Sequence, residues 1–488
     1  MRQTFFIAPA VLLAGCAVGP TYVAPAIEAP PHFIADAAVD SAAANIASAD
    51  LVNWWRSFDD PLLTRLVEQA LMQNLDLEQA SARVEQARAG LRGANAALLP
   101  SGQVRGSAAE TYQSLESPQG RIASPLPGFE REAQSYDLGV GASWEIDLFG
   151  GNDAARDAAR ADWQASAAAA VAARLSVAAQ TADADIAIRG LQARLAVARE
   201  RQAIQKQLVD LVDLQFRKGV AAEYQLRQAE GALAQVAAAI PELEEQRDKA
   251  MNALDVLLGL QPGSTRGDLA ASAAIPLPPP ISSAGGPAAM IRRRPDIIAA
   301  ERRLAASNAR IGAAISEYYP KFSLSGLLGM ATMNAGGFLG GDSVQASGVL
   351  GIRWRLFDFG RVDAEIAVAK GANVEALAAY RLIVLRASED VENAFSTLLK
   401  QRARGDILAD GERSMAAARK ASLAAYTGGV GNLLDVLEAD RRLLEVRDAK
   451  VQARALTARA AVASFRALGG GWQGSVAPVQ PSMTSVKG

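Results

Sequence analysis

Apolar positions in this chain keep two rhythms. From Ala221 to Leu258 they fall in heptads: Leu226, Leu233, Ile240 and Leu254 recur every seven, with Arg247 the one charged exception, and Ala229, Val236, Leu243, Ala250 and Leu257 follow three later. That is a coiled-coil seam. Pro241 stands inside it and is expected to kink or break the helix. A matching seam, Val436, Ala439, Leu443 and Val446, opens the stretch Gly431 to Leu468 and then fades. Before each seam lies a longer run without proline, Asn152 to Arg217 and Arg361 to Thr427. As a single helix each would reach ~100 Å.

The second rhythm is close to two. Ser101 to Tyr112 and Ser135 to Asp147 bracket a Gly/Pro/Ser loop, and Lys321 to Met333 and Val344 to Phe357 bracket a shorter one. Phe322, Leu324 and Gly326 alternate with Ser323, Ser325 and Leu327, and charges are sparse. The spacing predicts two β-hairpins, 101–147 and 321–357, with strands long enough to cross a bilayer at a tilt. A helix precedes each, Asn74 to Leu99 and Pro295 to Tyr319, stopped by Pro100 and Pro320.

These parts occur twice in one order. Trp144-Glu-Ile-Asp-Leu-Phe-Gly150 and Trp354-Arg-Leu-Phe-Asp-Phe-Gly360 stand 210 positions apart, as do Phe216-Arg-Lys-Gly219-Val220 and Tyr426-Thr-Gly-Gly429-Val430. Leu99-Pro100 and Tyr319-Pro320 stand 220 apart, so the second copy is ten residues shorter between Pro320 and Trp354, in the hairpin loop. The repeats are 61–260, with long helices 152–217 and 221–258, and 287–468, with long helices 361–427 and 431–468. A Pro/Gly-rich linker, 261–286, joins them, and 469–488 reads as a flexible tail. In each repeat the two shorter helices, laid end to end, match the longest one.

The start, 1–15, has a basic residue, a short apolar run and small residues, the layout of a secretory signal. It ends Leu13-Ala14-Gly15-Cys16, which resembles a bacterial lipobox. That resemblance implies lipid on Cys16 and, with Ala17 following, sorting to the outer membrane. Residues 16–60 form a lipidated N-terminal segment with contacts at mid-length of the molecule. No other segment is apolar enough for a transmembrane helix, so strands must do any crossing.

Composition narrows the chemistry. Among 488 residues, Lys+Arg 50 against Asp+Glu 52 leaves a net charge of -2, which gives no field to grip nucleic acid. One His and one Cys leave no resident metal site, cofactor or disulfide to expect, and His32 sits in a Pro/Ala-rich stretch, so an enzyme is not expected. Four strands are too few for a membrane barrel, and open edges are not tolerated in lipid. Three chains would pool twelve strands and twelve helical rods around one lumen, whereas two would give a small, filled barrel.

Further stretches carry a family resemblance: Gly15-Cys16-Ala-Val-Gly-Pro-Thr-Tyr22, Trp54-Trp55-Arg-Ser-Phe-Asp-Asp-Pro61, Arg293-Arg294-Pro295-Asp296 through Glu301, and Ala313 through Tyr319-Pro320. Together with the duplicated landmarks they resemble the outer-membrane efflux factors, the TolC-like and NodT-type lipoproteins. The resemblance implies a homotrimer in the Gram-negative outer membrane, held by lipid, with a β-barrel in the membrane and an α-helical tunnel through the periplasm. It implies docking to a periplasmic membrane-fusion adaptor and an inner-membrane efflux pump, as an exit duct for drugs and other small toxic compounds. A duct for type I protein secretion would look the same. A coiled-coil adaptor lipoprotein fits less well, because the hairpin here is duplicated and each copy has its own strand pair.

Two sets of residues are candidates for function. The turns at Arg217, Gly219 and Val220 and at Gly429 and Val430 are expected at the periplasmic tip that meets the adaptor. Asp435 and Glu438, three apart on one helix face, match the aperture segment of TolC-like ducts. Three copies would stack two acidic rings that favour cations, and crowding would raise some of their pKa values. Their counterparts in the first repeat are Gln225 and Gln228. Trp54, Trp55 and the Arg293-Pro295-Asp296 motif are expected to pack and cap.

Overall fold

The computed structural model of the chain describes residues 18–26, 30–43, 50–282 and 285–472. Along the chain run α1 (Asp36–Ala43), α2 (Pro61–Gln73), α3 (Leu75–Ala96), β1 (Ser101–Tyr112), α4 (Pro118–Ala123), β2 (Glu132–Ile146), α5 (Gly151–Arg217) and α6 (Glu223–Leu257). The order continues with α7 (Gly286–Arg293), α8 (Pro295–Ser316), β3 (Lys321–Thr332), β4 (Val344–Arg353), α9 (Arg361–Thr427) and α10 (Leu433–Ala467). Two compact units result: one of Met1–Pro25, Val84–Ala165 and Ala300–Ala379, the other of Ala26–Arg83, Ser166–Ala299 and Tyr380–Gly488.

The first unit holds one antiparallel sheet in the order β1-β2-β3-β4. Ser101 faces Ser143 across β1 and β2, and Lys321 faces Arg353 across β3 and β4. Moving the first pair by 220 and 210 positions gives the second, so the two hairpins share one register. Even-numbered positions share one face: Val104 and Ala108, Leu138, Val140 and Trp144, Phe322, Leu324 and Leu328, Leu350 and Ile352. The odd positions carry Gln103, Arg105, Asp137, Glu145, Ser323, Ser325, Ser347 and Arg353, interrupted by Leu327 and Val349. Glu110 and Glu132, both toward the hairpin end of β1 and β2, are the charges on the apolar face. Such segregation suits a sheet with oil on one side and water on the other.

Strand ends depart from expectation for a simple reason. β4 stops at Arg353 and not at Phe357, because its partner β3 begins at Lys321 and offers nothing opposite later residues. β2 starts at Glu132, three residues early, because β1 extends to pair Tyr112 with it. Each hairpin is tied to the helix before it by a duplicated bond: Trp144 Nε1 donates to the Leu98 carbonyl and Trp354 Nε1 to the Tyr318 carbonyl, both at 2.9 Å.

The helix expected from Asn74 to Leu99 is α3, and a further helix not expected from the sequence, α2, precedes it, with Asn74 extended between them (φ -67°, ψ 127°). In the second repeat Arg294, 220 positions on, breaks α7 from α8 in the same conformation (φ -65°, ψ 120°). Both side chains reach the last turn of a return helix. Asn74 Nδ2 donates to the Leu257 carbonyl at 2.9 Å, and Arg294 Nη1 to the Ala467 carbonyl at 3.1 Å. Gly259 and Gly469 then turn the chain with φ 72° and 74°. A Cβ on Gly259 would lie 2.5 Å from the Gln73 carbonyl oxygen, so the close approach also requires glycine.

The second unit has the larger core. Leu66, Ala70, Val177, Ile188, Met251, Leu254, Leu258 and Leu269 pack together, drawing on α2, α5, α6 and the linker. Trp54 is fully buried and stacks on Phe465 at 5.4 Å, with Trp55 edge-on to it, which bears out the packing role expected of the tryptophans. Arg294 also pairs with Asp296 (2.7 Å) and Asp390 (3.1 Å). The linker is tied down: Gln192 Nε2 donates to the Leu269 carbonyl, and Arg189 Nη1 to the Ala274 carbonyl. α6 runs unbroken through Pro241. Pro241 is exposed, so water can reach the carbonyl its ring leaves without a donor. The seam buries Leu226, Ala229, Leu243 and Leu254 as expected, while Met251 is buried near the charged Arg247.

Candidate channel site: turns, aperture segment and sheet

The two predicted turns have the same backbone. Gly219 and Gly429 adopt φ 75° and 76°, a left-handed conformation that glycine adopts freely. Val220 N–H donates to the Gln215 carbonyl at 2.9 Å, and Val430 N–H to the Ala425 carbonyl at 3.0 Å. The valines that follow are 77% and 86% exposed. Nothing lies within 4 Å of a Cβ built on either glycine, so both turns face open space. Arg217 pairs with Asp213 (2.5 Å) one turn back and stays largely exposed. Leu434, from the second repeat, packs on Val212, Leu226 and Ala229 of the first, which brings the two hairpin ends together within the second unit.

Asn432 caps α10, its Oδ1 accepting from Leu434 N–H at 3.1 Å. Asp435 is exposed in the first helical turn, where the helix dipole favours an acid. Gln225, its counterpart, accepts instead from the Ala222 N–H at 2.9 Å. Glu438 behaves differently from the sequence expectation. Arg441 (2.6 Å) and Arg442 (2.8 Å) of the same helix hold its carboxylate. Hydrogen bonding to Arg441, helped by Arg442 and the charge of both, lowers its pKa to about 2. Within the single chain, ion pairing with Arg441 and Arg442 lowers the titration of this acid. The chain of charges continues from Arg441 to Glu445 (2.6 Å) and on to Arg201 of α5 (2.8 Å).

A second charged cluster was not singled out in the sequence. Arg189 is buried between two carboxylates, Asp60 at the start of α2 (2.5 Å) and Asp185 one turn back on α5 (3.0 Å). Burial pushes Asp185 up to about 6, against the pull of Arg189. Its only sequence signal was the i, i+4 spacing of Asp185 and Arg189.

Cys16 lies outside the described residues, but the segment after it is anchored in the first unit. Val18 N–H donates to the Phe149 carbonyl at 3.2 Å, just past the end of β2. Asn308 of α8 holds the Pro20 carbonyl at 2.9 Å, and Tyr22 hydrogen-bonds Glu301. Among the described residues no group of His, Cys, Asp or Glu is placed to hold a metal ion, and no helix is long and apolar enough to cross a membrane.

A profile of the family described as outer membrane efflux protein matches residues 66–260 and 287–470. The chain is 32% identical to outer membrane protein OprJ of Pseudomonas aeruginosa over 485 residues, 97% of each. It is also 32% identical to the pyoverdine export outer membrane protein OpmQ of Pseudomonas putida, covering 86% of this chain and 88% of that one. The solved outer-membrane channel OprN superimposes with a TM-score of 0.82 at 34% identity, over 94% of this chain and all (100%) of the other.

Proposed function

Because the chain belongs to the outer membrane efflux protein family, we propose that it is the outer-membrane channel of a tripartite efflux system. It is a passive duct through which drugs and other small toxic compounds leave, driven by an inner-membrane pump and joined to it by a periplasmic adaptor. The sheet of the first unit carries this reading: four antiparallel strands with one apolar face, one polar face and two unpaired outer edges. Unpaired N–H and C=O groups are not tolerated in lipid, so edges must be covered by edges. Three chains close a twelve-stranded barrel whose polar face lines water and whose apolar face meets lipid. The long helices of the three chains, α5, α6, α9 and α10 with the shorter α3 and α8, form the periplasmic tunnel.

Transport through such a duct needs no bond made or broken. The wall supplies a polar path, the glycine turns supply exposed valines for the adaptor, and the aperture segment sets which ions pass. A lipid on Cys16 holds the assembly in the outer membrane. The bond from Val18 to Phe149 supports this, since it ties the chain two residues after Cys16, ~7 Å when extended, to the segment just past the end of β2.

Purified protein added to planar lipid bilayers is expected to give discrete, long-lived conductance steps. A coiled-coil adaptor lipoprotein would give none, and their absence from protein that is folded and trimeric would overturn the duct.

A further inference from the structure

The polar face of the sheet is almost uncharged. At its foot, nearest the helices, stand Glu145, Lys321 and Arg353; Glu145 lies 4.0 Å from Arg353, and Lys321 pairs with Glu317. Beyond them the odd positions are serine, glycine, glutamine, leucine and valine, up to one row across the sheet: Arg105, Gly139, Gly329 and Gln345. Asp137 follows one row on, toward the hairpin loops, and no further charge stands on that face before the strands end. We infer that Arg105 is a second selectivity element of the duct. Its three copies ring the lumen within the membrane and attract small compounds that carry several negative charges. This rests on the proposed duct and names a class of compound favoured at a place other than the aperture.

Arg105 is exposed, and its guanidinium has no hydrogen bond or ion pair among the described residues. Its row holds no acid, and close strand approach keeps that row low. A Cβ on Gly329 would lie 2.5 Å from the Leu138 carbonyl oxygen, so the position requires glycine. Beside Gly139 only Leu327, from the row nearer the foot, leans in. A long side chain standing among glycines and serines carries its charge further into the lumen than they reach. Asp137, the nearest acid, is diagonal to Arg105, roughly 7–8 Å away. It is a short side chain that accepts from Ser107 Oγ at 3.3 Å and stays by the wall. Neither outer strand brings another acid to this face: β4 has none, and Glu110 of β1 lies on the apolar one. The charges at the foot are eight residues away along β3. That is ~27 Å of strand, well beyond the Debye length of ~10 Å at 0.1 M salt. A ring of one sign inside a low-dielectric wall concentrates counter-ions, and Arg rings favour anions and phosphate groups. The guanidinium fork can hold two phosphate oxygens at once.

The test is block of single channels in planar bilayers by inorganic triphosphate, added to either side. At about 0.1 M KCl triphosphate should lower the conductance of the natural protein, and at about 1 M, where the Debye length is ~3 Å, the block should fade. Arg105→Gln should raise the half-blocking concentration about tenfold, while Arg105→Lys, which keeps the charge at that height, should retain most of the block. A half-blocking concentration unchanged in Arg105→Gln would overturn the ring. Should that variant fail to insert, Asp137→Asn decides. Removing the nearby acid should lower the half-blocking concentration, and an unchanged value would overturn the proposal. Full conductance with no triphosphate block in the natural protein would overturn the ring alone and leave the duct standing. No conductance at all would overturn the duct, and the ring with it.

Discussion

Arg294 donates to the carbonyl of Ala467, and 220 and 210 positions earlier Asn74 donates to the carbonyl of Leu257. One geometry is kept with two chemistries, a charged group in the second repeat and a neutral amide in the first. Each side chain satisfies a helix-end carbonyl that has no partner inside its own helix. Arg294→Ala also strands Asp296 and Asp390, and should cost about 2–3 kcal/mol. Asn74→Ala should cost about 1–2 kcal/mol through the lost cap and the unpartnered carbonyl. Thermal melting followed by helical circular dichroism measures both, and Arg294→Ala must show the larger drop.

Stability should fall as pH rises through 6. Asp185 titrates near 6 in the folded chain because it is buried, against 3.8 as its ordinary value. A carboxyl raised in this way contributes stability that is complete below the ordinary value and is lost as pH rises through the folded one. The facing groups are Arg189 and Asp60, which stay paired throughout. The natural protein should therefore melt higher at pH 5 than at pH 7.5. Asp185→Asn should flatten that difference, and an undiminished slope in the variant would assign it elsewhere.

Adaptor docking is tested at Gly429. Its φ of 76° admits glycine and tolerates asparagine, and its Cβ direction is open. Gly429→Glu should abolish drug efflux in cells while the trimer still forms and inserts. Gly429→Asn should retain most of the efflux. Full resistance in the glutamate variant would remove the turn from the docking surface.

At the aperture the two acids should separate. Asp435 has no hydrogen-bond or ion-pair partner for its carboxylate among the described residues, whereas Glu438 is held by Arg441 and Arg442. Asp435→Ala should weaken divalent-cation block and cation selectivity in bilayer recordings. Glu438→Ala should change conductance more than block, because it releases two arginines. Glu438 stays ionised down to about pH 2, so it contributes no pH dependence to selectivity between pH 5 and 8. Equal loss of block in both variants would restore the picture of two equivalent acidic rings.

Lipidation is tested by labelling. Radioactive palmitate should enter the natural protein and not Cys16→Ser. The variant should still form pores, since strand insertion does not depend on the anchor.

Much of this was legible in the sequence because duplication made each landmark appear twice. The turns at Gly219 and Gly429 and the strand β1 are where spacing set them, since glycine and alternation act locally. The starts of α3 and α8 were legible, but the helices α2 and α7 before them were not. Pro295 forces Arg294 out of the helical region, whereas Asn74 has no such neighbour and leaves the helix where its side chain reaches the Leu257 carbonyl. The pairing of Glu438 was readable in principle from Arg441 and Arg442 three and four positions on.

The hairpin registers coincide although the second repeat is ten residues shorter, so the difference lies in the loops, 113–131 against 333–343, and in the start of β2, two positions earlier than that of β4. In the proposed trimer those loops crown the barrel at the cell surface, long and short in turn. Beyond the bond from Gln113 N–H to the Arg131 carbonyl, their sequences add little to the ladder that holds the wall. Segments outside the strand pairing can change in length and sequence at little cost, so this crown can vary while the register of the wall beneath it stays fixed.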